Sequence, residues 1–265
     1  MAELRFAHAE LGGNLYWDEY AAYEFSSVQI DALSDATAEI ERICLLACAA
    51  AVAGHRHAVL GIPEAVWPLV DRSWQRLEPS LYGRLDLSWD GVRPPKLLEY
   101  NADTPTALHE ASVVQWDWPQ KLWPGADQFN SIHEKLVAVW PGMGLPGTVH
   151  FASMRDNVEY KATIDYLRDT ALQAGLQALY VAVEDIGWNG TVFTSLNEEP
   201  IRAIFKLYPR DWLRHDRFGS PVAGAPTRWI QPAWLLLLSS KGLLALLWEM
   251  FPGHPNLLAA SRMPG

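Results

Sequence analysis

Five side chains of the kinds that bind metals and anions crowd the segment "LLEYNADTPT": Glu99, Asn101, Asp103, Thr104 and Thr106. In an extended chain alternate residues share a face, so Glu99 and Asn101 point the same way. Carboxylate and amide oxygens are hard donors of the kind magnesium takes together with phosphate oxygens. Upstream, "RLDL" supplies Arg84 and Asp86 in the same alternation. A guanidinium beside such carboxylates is suited to neutralise charge on a phosphoryl group in transfer. A helix is expected to begin near Thr106, and free N–H groups at a helix N-terminus favour a carboxylate ligand. A cation site joined by one turn to an anion site suits activation of a substrate carboxylate. Plainer readings exist: polar alternation also describes a solvated hairpin face, and Asp103 to Thr106 also describe a helix cap. Spacing alone leaves both open.

The elements that must position these groups are legible nearby. "GRLDLSW", "DGVRPP" and "KLLEYN" read as a hairpin whose reversal is marked by Asp90-Gly91 and two prolines. Leu85 and Leu87 share one face, as do Leu98 and Tyr100. If these apolar faces coincide, Arg84, Asp86, Glu99 and Asn101 converge on one polar patch. Ser26 and Gln29 form a capping-box pattern opening a helix with apolar positions Ile30, Leu33, Ala36, Ile40 and Cys44, up to about Gly54. Pro63 suits the first turn of a second helix carrying Val66, Leu69, Val70, Trp74 and Leu77. Farther on, "GTVHFAS", "EYKATIDYLRDTALQAG" and "LYVAVEDIG" read as strand, helix closed by Gly175, and strand, which implies a βαβ crossover and a parallel sheet. "PIRAIFKLYP" is a further strand, and Arg228 to Trp248 is expected to be mostly helical. The class is α/β, a mixed sheet with flanking helices. A boundary near "WPGMGLPG" divides residues 1–145, the helical region and hairpin, from residues 146–265, the βαβ-containing region.

Composition narrows the partners. With 49% hydrophobic and 20% charged residues the chain is globular. A formal charge of −10 argues against DNA or RNA, which need a basic face; it suits a cationic ligand or a carboxylate-rich metal site, or solubility alone. Cys44 and Cys48, four apart on one helix face, read as buried thiols. The N-terminus shows neither a long apolar core nor a cleavage site. Ala233 to Trp248 is interrupted by Ser239, Ser240, Lys241 and Gly242, too polar at its centre to span a bilayer, so no membrane association is expected and the cytoplasm is the default location. Thirteen scattered tryptophans read as core and rim residues or as the walls of a ligand cleft. A glycosidase pair of Asp86 and Glu99 is disfavoured, because adjacent strands set the carboxylates side by side and not across a sugar.

"YWDE" (Tyr16 to Glu19), "RLDL", "LLEYNADTPT", "FKLYP" and "LLWEMFPGHPNLL" together resemble the glutathionylspermidine synthase family over nearly the whole chain. The resemblance implies a pre-ATP-grasp-like and partial ATP-grasp architecture. It also implies an ATP-dependent carboxylate–amine ligase that passes through an acyl phosphate, joining a glutathione-like peptide to a polyamine or other amine. Carried over by motif, Arg84 is catalytic at the phosphates, and Asp86, Glu99 and Asn101 hold Mg2+. Thr104, Thr106 and, on a weaker match, Glu159 bind substrate, while Lys206 and Lys241 turn toward ATP. Without the resemblance, Glu159 is a helix-start residue, Lys206 a solvated strand-end lysine and Lys241 an exposed helix lysine. The family continues past "NLLAASRMPG" with a glycine-rich basic segment that clamps the phosphates. "LYPRDW" and "AWLLLLSS" also depart from its pattern, at Arg210 and Leu235. The expectation is therefore divided between a ligase, whose activity as this fragment alone is left open, and a non-catalytic remnant that binds a peptide or polyamine.

Overall fold

In the computed structural model, which describes residues 10–11, 13–208, 222 and 224–261, the main elements follow in chain order. They are α1 (Ser27–Ala53), α2 (Trp67–Gln75), β1 (Arg84–Ser88), β2 (Lys96–Asn101), α3 (Gln115–Leu122), α4 (Ile132–Val139), β3 (Val149–Ser153) and α5 (Val158–Gln173). Then come β4 (Ala178–Ala182), β5 (Gly187–Trp188), β6 (Phe193–Thr194), β7 (Ala203–Leu207), β8 (Arg228–Ile230), α6 (Leu235–Leu238) and α7 (Gly242–Met250). Arg210, one of the positions departing from the family pattern, lies outside the described residues.

The chain divides into two compact units, each built from separated stretches: Glu24–Asp103 with Gln231–Gly265, and Met1–Tyr23 with Thr104–Ile230. The first, a hairpin unit, is organised by α1. Its capping box is formed as expected: Ser26 Oγ accepts from the Gln29 amide and Gln29 Oε1 accepts from the Ser26 amide. The buried stripe Ile40, Ile43, Cys44, Ala47, Cys48 and Ala51 packs in one core with Leu97, with Leu235, Leu237 and Leu238 of α6, and with Leu243, Leu246 and Leu247 of α7. Burial pushes the Cys44 thiol up to about 12 and raises Cys48 well above its ordinary value, so both are inert packing residues. Pro63 precedes a short 3-10 turn, Glu64–Val66, before α2 begins.

The polar break in the apolar C-terminal run is a clasp. Ser239 Oγ accepts from the backbone N–H groups of Ala102 and Asp103 at 3.0 and 2.8 Å. Ser240 Oγ donates to the Leu60 carbonyl. Next to it, a Cβ on Gly242 would lie 2.7 Å from the Val59 carbonyl oxygen and 2.9 Å from Leu60 Cα, so close backbone approach requires glycine here.

The second unit, the sheet unit, carries four parallel strands in the order β8-β7-β3-β4, and β5 and β6 form a separate antiparallel ribbon. Parallel and antiparallel pairing are thus both present, in different sheets. The expected βαβ crossover is β3–α5–β4. Asn157 caps α5 by accepting from the Tyr160 amide at 2.9 Å, and Gly175 follows the helix with φ +84°. Every residue of β3 and β7 is buried, as expected for strands covered on both faces. The stretch expected to be helical from Arg228 differs: Arg228–Ile230 is the edge strand β8, opposite Ala203–Phe205. Three residues are too few to show a period. No helix among the described residues is long and apolar enough to cross a membrane.

Candidate functional site

Strands β1 and β2 pair antiparallel with Arg84 opposite Asn101 and Asp86 opposite Glu99. Directly opposed side chains share a face with Cβ atoms roughly 5 Å apart. Leu85, Leu87 and Tyr100 turn toward the core of the hairpin unit, so the four polar groups converge as their alternation predicts. One detail differs. The register slips after Asp86, and Leu87 opposes Leu97. Leu98 is therefore the extra residue of a bulge, 42% exposed, and Leu97, 1% exposed, takes the core position expected for Leu98.

The converged groups neutralise one another. Arg84 Nε reaches Asp86 Oδ1 at 2.8 Å and Arg84 Nη2 reaches Oδ2 at 3.1 Å, a bidentate pair. In the amide orientation that satisfies its neighbours, Asn101 donates to Glu99 Oε1 at 3.0 Å and accepts from Arg84 Nη2 at 2.9 Å. Lys241 Nζ, arriving from the start of α7, lies 2.6 Å from Glu99 Oε2. The Arg84, Asp86 and Glu99 side chains stay 36%, 36% and 31% exposed, open to a ligand from solvent. Behind them Tyr100 donates to Glu41 Oε2 at 2.6 Å; burial, with the Glu41 carboxylate beside it, raises the phenol's pKa and keeps it a donor.

Among the described residues no group of three or more His, Cys, Asp or Glu side chains could hold a metal. A cation at the hairpin therefore needs the Asn101 amide as its third ligand. The donor chemistry fits Mg2+: Asp86, Glu99 and Asn101 would supply two carboxylates and an amide oxygen on adjacent strands, hard donors of the kind it takes together with phosphate oxygens.

Past β2 the chain enters the other unit. Ala107 has φ +63° and helical backbone begins at Leu108, two residues past the start expected near Thr106. The residue with positive φ uncouples Thr104 and Thr106 from the helix terminus; both are half-buried in the irregular segment before it. A π-helical stretch, Glu110–Val114, follows and runs into α3. Such stretches are frequent at functional sites. Glu159 sits in the first turn of α5, where a carboxylate also favours the helix dipole.

Lys206 overturns one expectation. It lies on β7 opposite Ala152 and is 1% exposed, not a solvated strand-end residue. Cross-strand partners share a face, which places Ala152, Ile204, Lys206 and Trp229 together over the sheet. With Phe193 and Ile186 they wall a slot of only about 10 Å³, room for one water at most. Phe193 and Trp229 meet edge to face at 5.4 Å, so tryptophan does line a cleft here. His150 lies on the same face, and its burial pushes the imidazole pKa down. Arg84, Asp86, Glu99, Asn101 and Lys241 thus meet within the hairpin unit, while Thr104, Thr106, Glu159 and Lys206 belong to the sheet unit. Sequence reasoning missed Ser239, which ties down the backbone after Asn101. Its signal was present as "SSKG" inside an apolar run.

Comparison with known proteins follows the same residues. Residues 1–265 match the family described as glutathionylspermidine synthase preATP-grasp. A candidate acid–amine ligase of Haemophilus influenzae is 42% identical over 260 residues, covering 95% of this chain and 66% of its own length. The trypanothione synthetase of Crithidia fasciculata is 26% identical, over 77% of this chain and 36% of its own length. The bifunctional glutathionylspermidine synthetase/amidase of Escherichia coli is 25% identical, over 76% and 37%. The chain thus spans less than two thirds of the length of these relatives. Among solved structures, an apo glutathione synthetase-like effector from Globodera pallida superposes with a TM-score of 0.50 at 11% identity, covering 86% of this chain and 59% of that one. At that identity the likeness concerns fold: a mixed α/β fold with ATP-grasp-like topology.

Proposed function

The chain belongs to the glutathionylspermidine synthase family, and on that premise we propose that it carries part of the site of an ATP-dependent carboxylate–amine ligase. The observation that carries the proposal is the cross-strand pair Asp86–Glu99, with Asn101 beside it and Arg84 on Asp86. In this reading Asp86, Glu99 and Asn101 hold Mg2+, which when bound neutralises phosphate oxygens of the nucleotide. Arg84 exchanges Asp86 for the phosphoryl group in transfer, whose oxygens its planar fork matches. Thr104, Thr106 and Glu159 receive the acid substrate, a glutathione-like peptide or other carboxylate. Lys206 and Lys241 serve the nucleotide.

The chemistry is two displacements. A substrate carboxylate oxygen attacks the γ-phosphorus, the bond to the β,γ-bridging oxygen breaks, and ADP leaves. The amine nitrogen of a polyamine or other amine then attacks the acyl carbon of the resulting acyl phosphate. The carbon–oxygen bond breaks, inorganic phosphate leaves, and the nitrogen gives up a proton to leave an amide. A second reading, binding of peptide or polyamine without turnover, is favoured by the slot at Lys206, too small as it stands for a purine ring.

Calorimetric titration of the 265-residue chain with ATP and magnesium tests the first reading. Binding is expected, and is expected to vanish in Asp86→Ala and Glu99→Ala at unchanged circular dichroism. Absence of binding by the unmodified chain, or undiminished binding by both variants, would overturn it. Glutathione or polyamine binding without ATP binding would establish the second.

A further inference from the structure

Both carboxylates of the hairpin patch already carry a cationic side chain. Arg84 holds Asp86 through two nitrogens, and Lys241 Nζ holds Glu99 Oε2 at 2.6 Å. The other oxygen of Glu99 is met by the Asn101 amide nitrogen. A divalent cation seated on Asp86, Glu99 and Asn101 must therefore take lone pairs that these side chains now use.

The two cations are anchored differently. Arg84 stands on the same strand as its partner and also meets Asn101, so it belongs to the ladder. Lys241 comes from a turn whose backbone is fixed on both sides. Ser240 bonds to the Leu60 carbonyl and accepts from the Gly242 amide at 3.0 Å, and Gly242 is pressed against Val59 and Leu60. From this fixed base the Lys241 side chain extends 71% exposed, with a flexible stem and no second partner in the described residues. A fixed backbone with one exposed ion pair at the end of a flexible stem is a device for moving one charge over a few ångströms.

We propose that Lys241 is a charge-exchange residue: it neutralises Glu99 until a divalent cation arrives, then turns to the phosphates that come with that cation. Metal and nucleotide binding are thereby coupled through one side chain. Metal alone must displace the ammonium into water. Nucleotide alone must draw Lys241 away and leave Glu99 facing the phosphates. Together, each ligand supplies what the other removes, and the coupling is reciprocal. This inference deepens the ligase reading and rests on it. Lys241 acts here as a positioning residue, through Glu99 and the phosphates.

The test compares the full chain with Lys241→Met and Lys241→Arg, using Mn2+ as a paramagnetic stand-in for Mg2+. Free Mn2+ is followed by electron paramagnetic resonance without nucleotide, and Mg-ATP affinity is measured by calorimetry. In Lys241→Met, Mn2+ alone is expected to bind about threefold tighter, the scale an exposed ion pair supports, and Mg-ATP about tenfold weaker, within the usual range of site coupling. Lys241→Arg should stay near the unmodified chain in both. Opposite signs are the signature, since a merely structural role would weaken both or move neither. Unchanged or weaker Mn2+ binding in Lys241→Met, with Mg-ATP still bound by the unmodified chain, overturns the exchange and leaves the ligase reading standing. An unmodified chain that binds neither Mn2+ nor Mg-ATP overturns both.

Discussion

At the hairpin, Arg84, Asp86, Glu99 and Lys241 meet through one two-strand ladder and a turn from α7, and all remain about a third exposed or more. In the sheet unit, Lys206 stands among Ile204, Phe193 and Trp229 at 1% exposure, in a slot with room for one water. The first arrangement keeps charges in high dielectric, where pairs contribute little and exchange readily. The second removes a charge from water, which is tolerated only when its surroundings meet the ammonium. The contrast separates an ammonium in water, which trades partners readily, from a buried one that must leave its present contacts before it can serve a nucleotide.

Substituting the two lysines should break or confirm that contrast. Lys206→Met takes the ammonium away from the groups that now meet it. It is expected to lower stability by about 3 kcal/mol, whereas Lys241→Met should cost less than about 1 kcal/mol. Chemical denaturation of both variants measures the difference, and equal midpoints would erase the distinction. Ser239→Ala sharpens it from the hairpin side. The patch is open, yet the backbone that follows it is clasped, and losing the acceptor of two buried amides should cost roughly 1–3 kcal/mol. Hydrogen exchange at Ala102 and Asp103 should accelerate in step; unaltered protection there would mean the clasp does not hold the strand end.

The smallest expected effect belongs to the sheet. His150 has its folded pKa depressed by burial, so the unfolded chain takes the proton first. Stability should therefore fall as pH drops below about 6.5 and be fully present above it. Urea midpoints at pH 7 and pH 5 should differ for the unmodified chain and differ less for His150→Leu. An equal pH response in that variant would locate the effect elsewhere.

Much of this was written locally enough to be read. The capping box at Ser26 and Gln29, the hairpin and its polar face, and β3–α5–β4 each follow from neighbours within a few residues or one helix length. What escaped involved an exception to a period or a partner far along the chain. Counting by twos carries Leu98 into the core; one inserted residue at the bulge hands that place to Leu97. The positive φ of Ala107 sets the start of the expected helix two residues beyond Thr106, at Leu108. Nothing near Glu99 announces that Lys241 will reach it across more than a hundred residues. Lys206 carried a clue that was not used. In "AIFKL" both faces of the strand are apolar around it, the mark of a sheet covered on both sides, and a lysine there has no route to solvent.

The hairpin unit is interrupted by the sheet unit, which fixes an order of events on the ribosome. Residues Glu24–Asp103 emerge before Thr104–Ile230, but the helices α6 and α7 that cover α1 belong to Gln231–Gly265. At roughly 5–20 residues per second, the intervening ~130 residues take on the order of ten seconds to synthesise. During that interval the stripe of Ile40, Ile43, Cys44 and Ala47 has no α7 to bury it, and only at its end, with β8, is every strand of the four-stranded sheet made. At the end of that interval the nascent chain has all its sheet strands, while α1, packed on Leu60, Val70 and Leu97, still lacks the cover of α6 and α7, so a stall just before Gln231 leaves apolar surface suited to chaperone capture.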